Sequence, residues 1–254
     1  MPDEVRSAVD TAPGVATPGQ KLRAHLVHVY TASGVVFSFL AAAEICSPTP
    51  DPRWVFVWLI VAVLIDATDG PLARRCHVKF RAPRFDGRTI DDIVDYQTFT
   101  LLPLLLVWRM GWLPAPAMLF ILPALIVSLL GFANTLAKQE EEGFFLGFPS
   151  YWNIYAFYAG IWSVGYSSAI SAVVIVVLTG LTVAPVRFIY PNLAPHPWRL
   201  PLLAGAVVWT GIVLAMLPSY PHVPPAVMWI SLAYPVLYTA ASVHLDLKER
   251  RRRI

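Results

Sequence analysis

Four aspartates hold most of the chemistry this sequence can do. Asp66 and Asp69 stand in DATDGPLARR, Asp91 and Asp95 in DGRTIDDIVDY, each group at the edge of a long apolar run. Spaced i, i+3 and i, i+4, the members of each pair share one face of a helix. Two antiparallel helices would then turn four carboxylates toward a common point. Four anions in or near lipid repel one another and are costly to keep ionised unless something pairs them. A divalent cation resolves both difficulties: hard oxygen ligands suit Mg2+ or Mn2+, and two ions match four carboxylates better than one. Gly70, Ala73 and Gly87 are small enough to let a planar or phosphorylated ligand approach the helix backbone, and Arg74 offers a fork to phosphate oxygens.

The elements that must position these groups are helices in a bilayer. The 254 residues are 57% hydrophobic and only 14% charged, the balance of an all-α, polytopic integral membrane protein. At roughly 20 apolar residues per crossing, about eight transmembrane helices are predicted, near 25–46, 54–74, 90–109, 115–138, 150–166, 168–188, 200–218 and 225–246. Asp66 lies roughly 18 Å along the second span and Asp69 roughly 22 Å, in the half of the bilayer where that span ends. The third span runs back, so Asp91 and Asp95 lie at its start. Placing both termini in the cytoplasm leaves only Arg53 and Arg109 of the 19 basic residues outside, as the positive-inside rule asks.

The expected organisation is a cytoplasmic N-terminal tail at 1–24, a single transmembrane catalytic domain at 25–246 and a basic cytoplasmic tail at 247–254. The first tail lacks the apolar core of a cleavable signal peptide. The net charge of +3 is small, but the inner face is locally basic and suits anionic lipid headgroups. With no Gly-rich nucleotide loop after a strand and no aromatic RNA-binding motif, nothing asks for nucleic acid. Cys46 and Cys76 fall at opposite faces and make neither a disulfide framework nor a zinc set.

Asp66-x-x-Asp69-Gly70-x-x-Ala73-Arg74 followed by Gly87-x-x-x-Asp91-x-x-x-Asp95 resembles the signature of the CDP-alcohol phosphotransferases, a family of membrane enzymes. One departure is that twelve residues separate Arg74 from Gly87 where the family commonly has eight. The added residues precede Gly87, so the facing of the aspartates is unaffected. The resemblance implies that family's fold, and transfer of a phosphatidyl group from a CDP-linked lipid to an alcohol with release of CMP. It implies Mn2+ or Mg2+, two ions, held by Asp66, Asp69, Asp91 and Asp95, with Asp91 and Asp95 catalytic and Asp95 the base for the acceptor hydroxyl. Asp66, Asp69, Gly70, Ala73, Arg74 and Gly87 would line the CDP-lipid pocket.

Three further stretches, HVYTASG at 28–34, FFLGFPSYWN at 144–153 and VRFIYP at 186–191, resemble the bacterial phosphatidylcholine synthases within that family. They favour choline as acceptor and CDP-diacylglycerol as donor. They also imply a bacterial inner membrane, and the placement of basic residues puts both termini and the active site on its cytoplasmic side. Serine, glycerol phosphate and inositol stand as alternative acceptors. A divalent-cation transporter is the rival from another class, because intramembrane carboxylates also mark ion pathways. Membrane lipids are expected partners, and a homodimer is left open.

A quaternary ammonium donates no strong hydrogen bond and is held by aromatic faces plus a carboxylate. Tyr96, Tyr151, Trp152 and Tyr155, with Tyr158 nearby, offer such faces. Each of them alone reads as a member of an interfacial aromatic belt. Arg187 reads either as a contact to lipid phosphate or as an inside flank, and His28 either as a substrate contact or as a polar residue at a helix end. Glu140 to Glu142 read as a solvated loop.

Overall fold

A computed structural model describes residues 16–134, 138–139, 143–190, 194 and 196–253. Most of the predicted N-terminal tail and the Glu140 to Glu142 run lie outside the described residues.

Helix α1 (Pro18–Ala32) opens on a reciprocal cap. Thr17 Oγ1 accepts from the Gln20 N–H at 3.3 Å, and Gln20 Oε1 accepts from the Thr17 N–H at 3.0 Å, which satisfies two of the donors a helix start leaves open. Past Ser33 the rod continues as α2 (Gly34–Ile45). Helix α3 (Pro52–Cys76) is capped by Asp51, whose carboxylate accepts from the Arg53 N–H at 2.9 Å. It stops at His77, which adopts the left-handed region at φ 52°. A short α4 (Val78–Arg81) leads to α5 (Gly87–Asp95), a π-helical turn (Tyr96–Leu101) and α6 (Leu102–Arg109). The remaining helices are α7 (Met118–Ala133), α8 (Trp152–Gly165), α9 (Ser168–Val183), α10 (Arg199–Met216) and α11 (Pro225–Arg253).

All eight predicted spans fall on helical rods, with α1 and α2 making the first and α5 to α6 the third. The rods at 18–45, 52–76, 199–219 and 225–250 are long and apolar enough to cross a bilayer by length and composition. Phe39, Leu119, Leu130, Val173, Val207 and Leu237 are exposed, an arrangement that lipid accepts and water does not. The chain is an all-α polytopic membrane protein. Its interior centres on α8, where Trp152, Tyr155, Phe157, Tyr158 and Ile161 are buried against Phe56 and Leu59 of α3 and Leu104 and Leu106 of α6. A helix covered on nearly every side is the expected position for such an apolar sequence.

Helix α7 ends at Ala133 and α9 at Val183, short of the predicted ends of those spans. The chain beyond each helix forms a small antiparallel sheet of β1 (Lys138–Gln139), β2 (Phe144–Leu146) and β3 (Arg187–Ile189), in the order β1-β2-β3. Pro185 has no N–H with which to continue α9, and the aromatic and branched residues around it suit a pleated strand. Phe145 stands opposite Phe188. Gly147 closes β2 at φ 85°, with its Cα so near the Thr182 carbonyl that any Cβ would collide. Helix α11 is tied to this sheet: Tyr238 donates to the Ile189 carbonyl at 2.8 Å, and the Ile189 N–H donates to Ser242 Oγ at 3.2 Å.

Candidate active site

The C-terminal half of α3 and the start of α5 meet where the sequence places its acids. Asp66, Asp91 and Asp95 each bring one carboxylate oxygen to within 4.8 Å of the others. Three points at that outer limit lie about 2.8 Å from their common centre, so small side-chain rotations bring them to the 2.0–2.6 Å that Mg2+, Mn2+ or Ca2+ needs. The donor set, all carboxylate oxygen, fits a hard divalent ion. Asp69 is not in this group. Three residues advance a helix by about 300°, so Asp69 points about 60° away from Asp66 and one turn on, toward α1. There it is 7% exposed and engaged by the Thr31 side chain.

Asp86 starts α5. Its carboxylate accepts from the Thr89 hydroxyl at 2.8 Å and from the Arg88 N–H at 3.1 Å, which holds its carboxyl below the ordinary carboxylate value. The cap fixes the first turn of the helix that carries Asp91 and Asp95.

A cavity of about 950 Å³ opens between α1, α3, the segment from His77 and the start of α5, and its lining includes Asp69, Gly70, Ala73, Arg74, Gly87 and Asp91. Asp91 therefore belongs to both the carboxylate cluster and the cavity. Gly87 is small for a reason the spacing did not show: a Cβ there would sit 3.1 Å from His28 Cε1 and 3.3 Å from Nδ1. His28 is buried, its Nε2 donates to the Ala82 carbonyl at 3.3 Å, and its ring also lines the cavity.

No protein-family model matches the chain. Curated relatives do. The phosphatidylcholine synthase of Agrobacterium fabrum is 33% identical over 192 residues, 75% of this chain and 77% of the relative. That of Pseudomonas aeruginosa is 32% identical over 214 residues, 80% of this chain and 84% of its own. That of Bradyrhizobium diazoefficiens is 32% identical over 254 residues, covering 94% and 91% of the two chains. The chain belongs to the phosphatidylcholine synthase family.

Membership of the phosphatidylcholine synthase family makes the chain an enzyme of phospholipid synthesis, and the aromatic residues can be read against that. Phe99, one turn after Asp95, meets Tyr151 with ring centroids 6.1 Å apart. Tyr151 lies within electrostatic reach of Asp66 and Asp95 and close to Tyr238 of α11. Tyr234 also acts on it. Neither Tyr234 nor Tyr238 was a candidate from the sequence, since about 80 residues and three helices intervene and no local pattern links them to Tyr151.

The other aromatic candidates face elsewhere. Trp152 is fully buried and donates to Ser128 Oγ at 2.7 Å; Tyr155 donates to the Ser171 carbonyl at 3.1 Å. Tyr158 donates to Ser231 Oγ at 2.9 Å. Their rings and polar atoms serve the packing of α8 against α7, α9 and α11. Tyr96 follows Asp95 but enters the π-helical turn, donating to the Leu125 carbonyl at 3.3 Å with its ring edge-on to Phe132. Such wide turns often mark functional sites, and this one separates the acidic end of the rod from its apolar remainder. Arg187 is 7% exposed, with Nε 2.6 Å from Asp246 and its guanidinium 4.9 Å above the Phe144 ring.

Proposed function

We propose that the chain transfers the phosphatidyl group of CDP-diacylglycerol to choline, with release of CMP, in a bacterial inner membrane. Family membership supports the reading, and the observation that carries it is Asp91, shared by a three-carboxylate cluster and a cavity lined by Gly70, Ala73, Arg74 and Gly87. An ion pathway has no reason to need Gly70, Ala73, Arg74 and Gly87 together. The placement of basic residues supports a site and termini on the cytoplasmic side. Residues 25–246 act as one catalytic domain between two tails, and the proposal needs a single copy of the chain.

Asp66, Asp91 and Asp95 would hold Mn2+ or Mg2+, and Asp69 would complete the set for a second ion. When bound, the metal neutralises the diphosphate and the charge that builds on departing CMP. Arg74 forks onto phosphate oxygens, while the small residues let the nucleotide approach the backbone of α3 and α5. Asp95 takes the proton of the choline hydroxyl. That oxygen bonds to the phosphorus carrying diacylglycerol as the bond from this phosphorus to the CMP oxygen breaks. Tyr151 offers the trimethylammonium group an aromatic face beside carboxylates.

The test is purified protein with CDP-diacylglycerol and radiolabelled choline, serine, glycerol phosphate or inositol. Choline product is expected; serine turnover without choline product overturns the reading.

A further inference from the structure

The twelve residues between Arg74 and Gly87 build one side of the cavity. Val78 and Ala82 are buried against Ala24 and Val27 of α1, which anchors the segment, while Lys79, Phe80, Pro83, Arg84 and Phe85 line the open space. Phe85 is held by α1: the His25 and His28 rings meet it nearly edge to face, with centroids 6.2 Å and 5.9 Å away. The Arg84 guanidinium lies 5.9 Å from its centroid. Even so Phe85 is 49% exposed. An aromatic ring gripped from one element yet left half uncovered toward a cavity is placed to receive something flat.

We propose that Phe85 is a stacking platform for the nucleobase of the CDP-linked lipid. The inference rests on the functional reading above and goes further, because the added segment lies outside the signature that the reading uses. The carboxylate cluster sets where the phosphates go, and Asp91 sets the cavity edge nearest to it. The base is at the far end of the nucleotide from the reacting phosphorus, so it falls on the wall that the segment from His77 to Asp86 makes. Lys79 and Arg84 line the same wall and make it electropositive toward an anionic nucleotide. Stacking of a base on an aromatic side chain accounts for roughly a 5- to 150-fold difference in affinity.

The test measures CMP binding to the full-length chain in nanodiscs with Mn2+, together with the KM for CDP-diacylglycerol. Phe85→Ala is expected to weaken CMP binding about 10-fold or more and to raise that KM by a similar factor. Phe85→Trp is expected to keep or improve both, and Phe85→Leu, apolar but without a π face, to stay close to Phe85→Ala. CMP affinity within 2-fold of the unaltered chain in Phe85→Ala, or full recovery in Phe85→Leu, overturns the platform alone. An unaltered chain that binds no CMP overturns both the platform and the functional reading.

Discussion

Arg187 and Asp246 meet at 2.6 Å although they lie 59 positions apart in the chain, and they are 7% and 2% exposed. The pair bolts α11 to the strand β3. The same carboxylate takes Arg250 Nε at 2.9 Å, and Arg250 also donates to the Pro185 carbonyl. Removing Asp246 strands the buried Arg187 charge, at about 3–5 kcal/mol, and removing Arg187 leaves Asp246 only the more exposed Arg250, whereas replacing both with apolar groups is often neutral. Arg187→Ala and Asp246→Ala are each expected to lower the thermal inactivation temperature in detergent markedly, and Arg187→Met with Asp246→Leu to recover most of it. Single variants as heat-stable as the parent would show that the pair is not holding the helix.

Asp95→Asn removes a proton acceptor while keeping size and most packing. Turnover is expected to fall by about 10²- to 10⁴-fold, with binding of CDP-diacylglycerol largely retained. An equal loss in lipid binding would assign Asp95 chiefly to the metal.

Chelation with EDTA is expected to abolish activity, and Mn2+ or Mg2+ to restore it. Because Asp66 and Asp91 stand in the three-carboxylate cluster and Asp69 does not, Asp66→Asn and Asp91→Asn are expected to raise the metal concentration for half-maximal activity more than Asp69→Asn does. A metal titration of the three variants decides, and an equal shift in all three would place Asp69 in the same coordination set.

Tyr151 is the aromatic candidate that Phe99 and the acids bring to the site. Loss of a cation–π contact weakens binding roughly 2- to 30-fold. Tyr151→Ala is therefore expected to raise the KM for choline in that range while the KM for CDP-diacylglycerol stays put. Tyr155→Phe, which loses only the hydrogen bond to Ser171, is expected to show in the melting temperature instead. Choline kinetics for the two variants separate the roles.

The Thr89 hydroxyl and the Arg88 N–H hold Asp86 below its ordinary value of 3.8. A group lowered on folding stabilises the fold above its ordinary value, and that contribution disappears as pH falls through the lowered one. Across about pH 5 to 9 the cap is therefore constant. Asp86→Asn, still a good cap, is expected to leave the pH–activity profile unshifted over that range, and Asp86→Ala to speed amide exchange in the first turn of α5. A profile that moves in Asp86→Asn would give Asp86 a part in the chemistry.

Residue types and spacing alone carried much of this protein. Apolar runs the length of a bilayer located eight rods, because hydrocarbon leaves a backbone no choice but to satisfy itself within helices. The i, i+3 and i, i+4 spacings placed the aspartates on the facing ends of two of them, since helical geometry is local. Tertiary packing decided the rest. It turned Asp69 toward Thr31, sent Trp152 and Tyr155 into the core, and paired Phe144–Leu146 with Arg187–Ile189. Two stretches that the sequence offers as separate signatures thus prove to be hydrogen-bonded neighbours, held by a helix from the far end of the chain. Periodicity fixes which face of a helix a side chain occupies, but what that face meets depends on contacts between residues distant in the chain, and no local pattern encodes them.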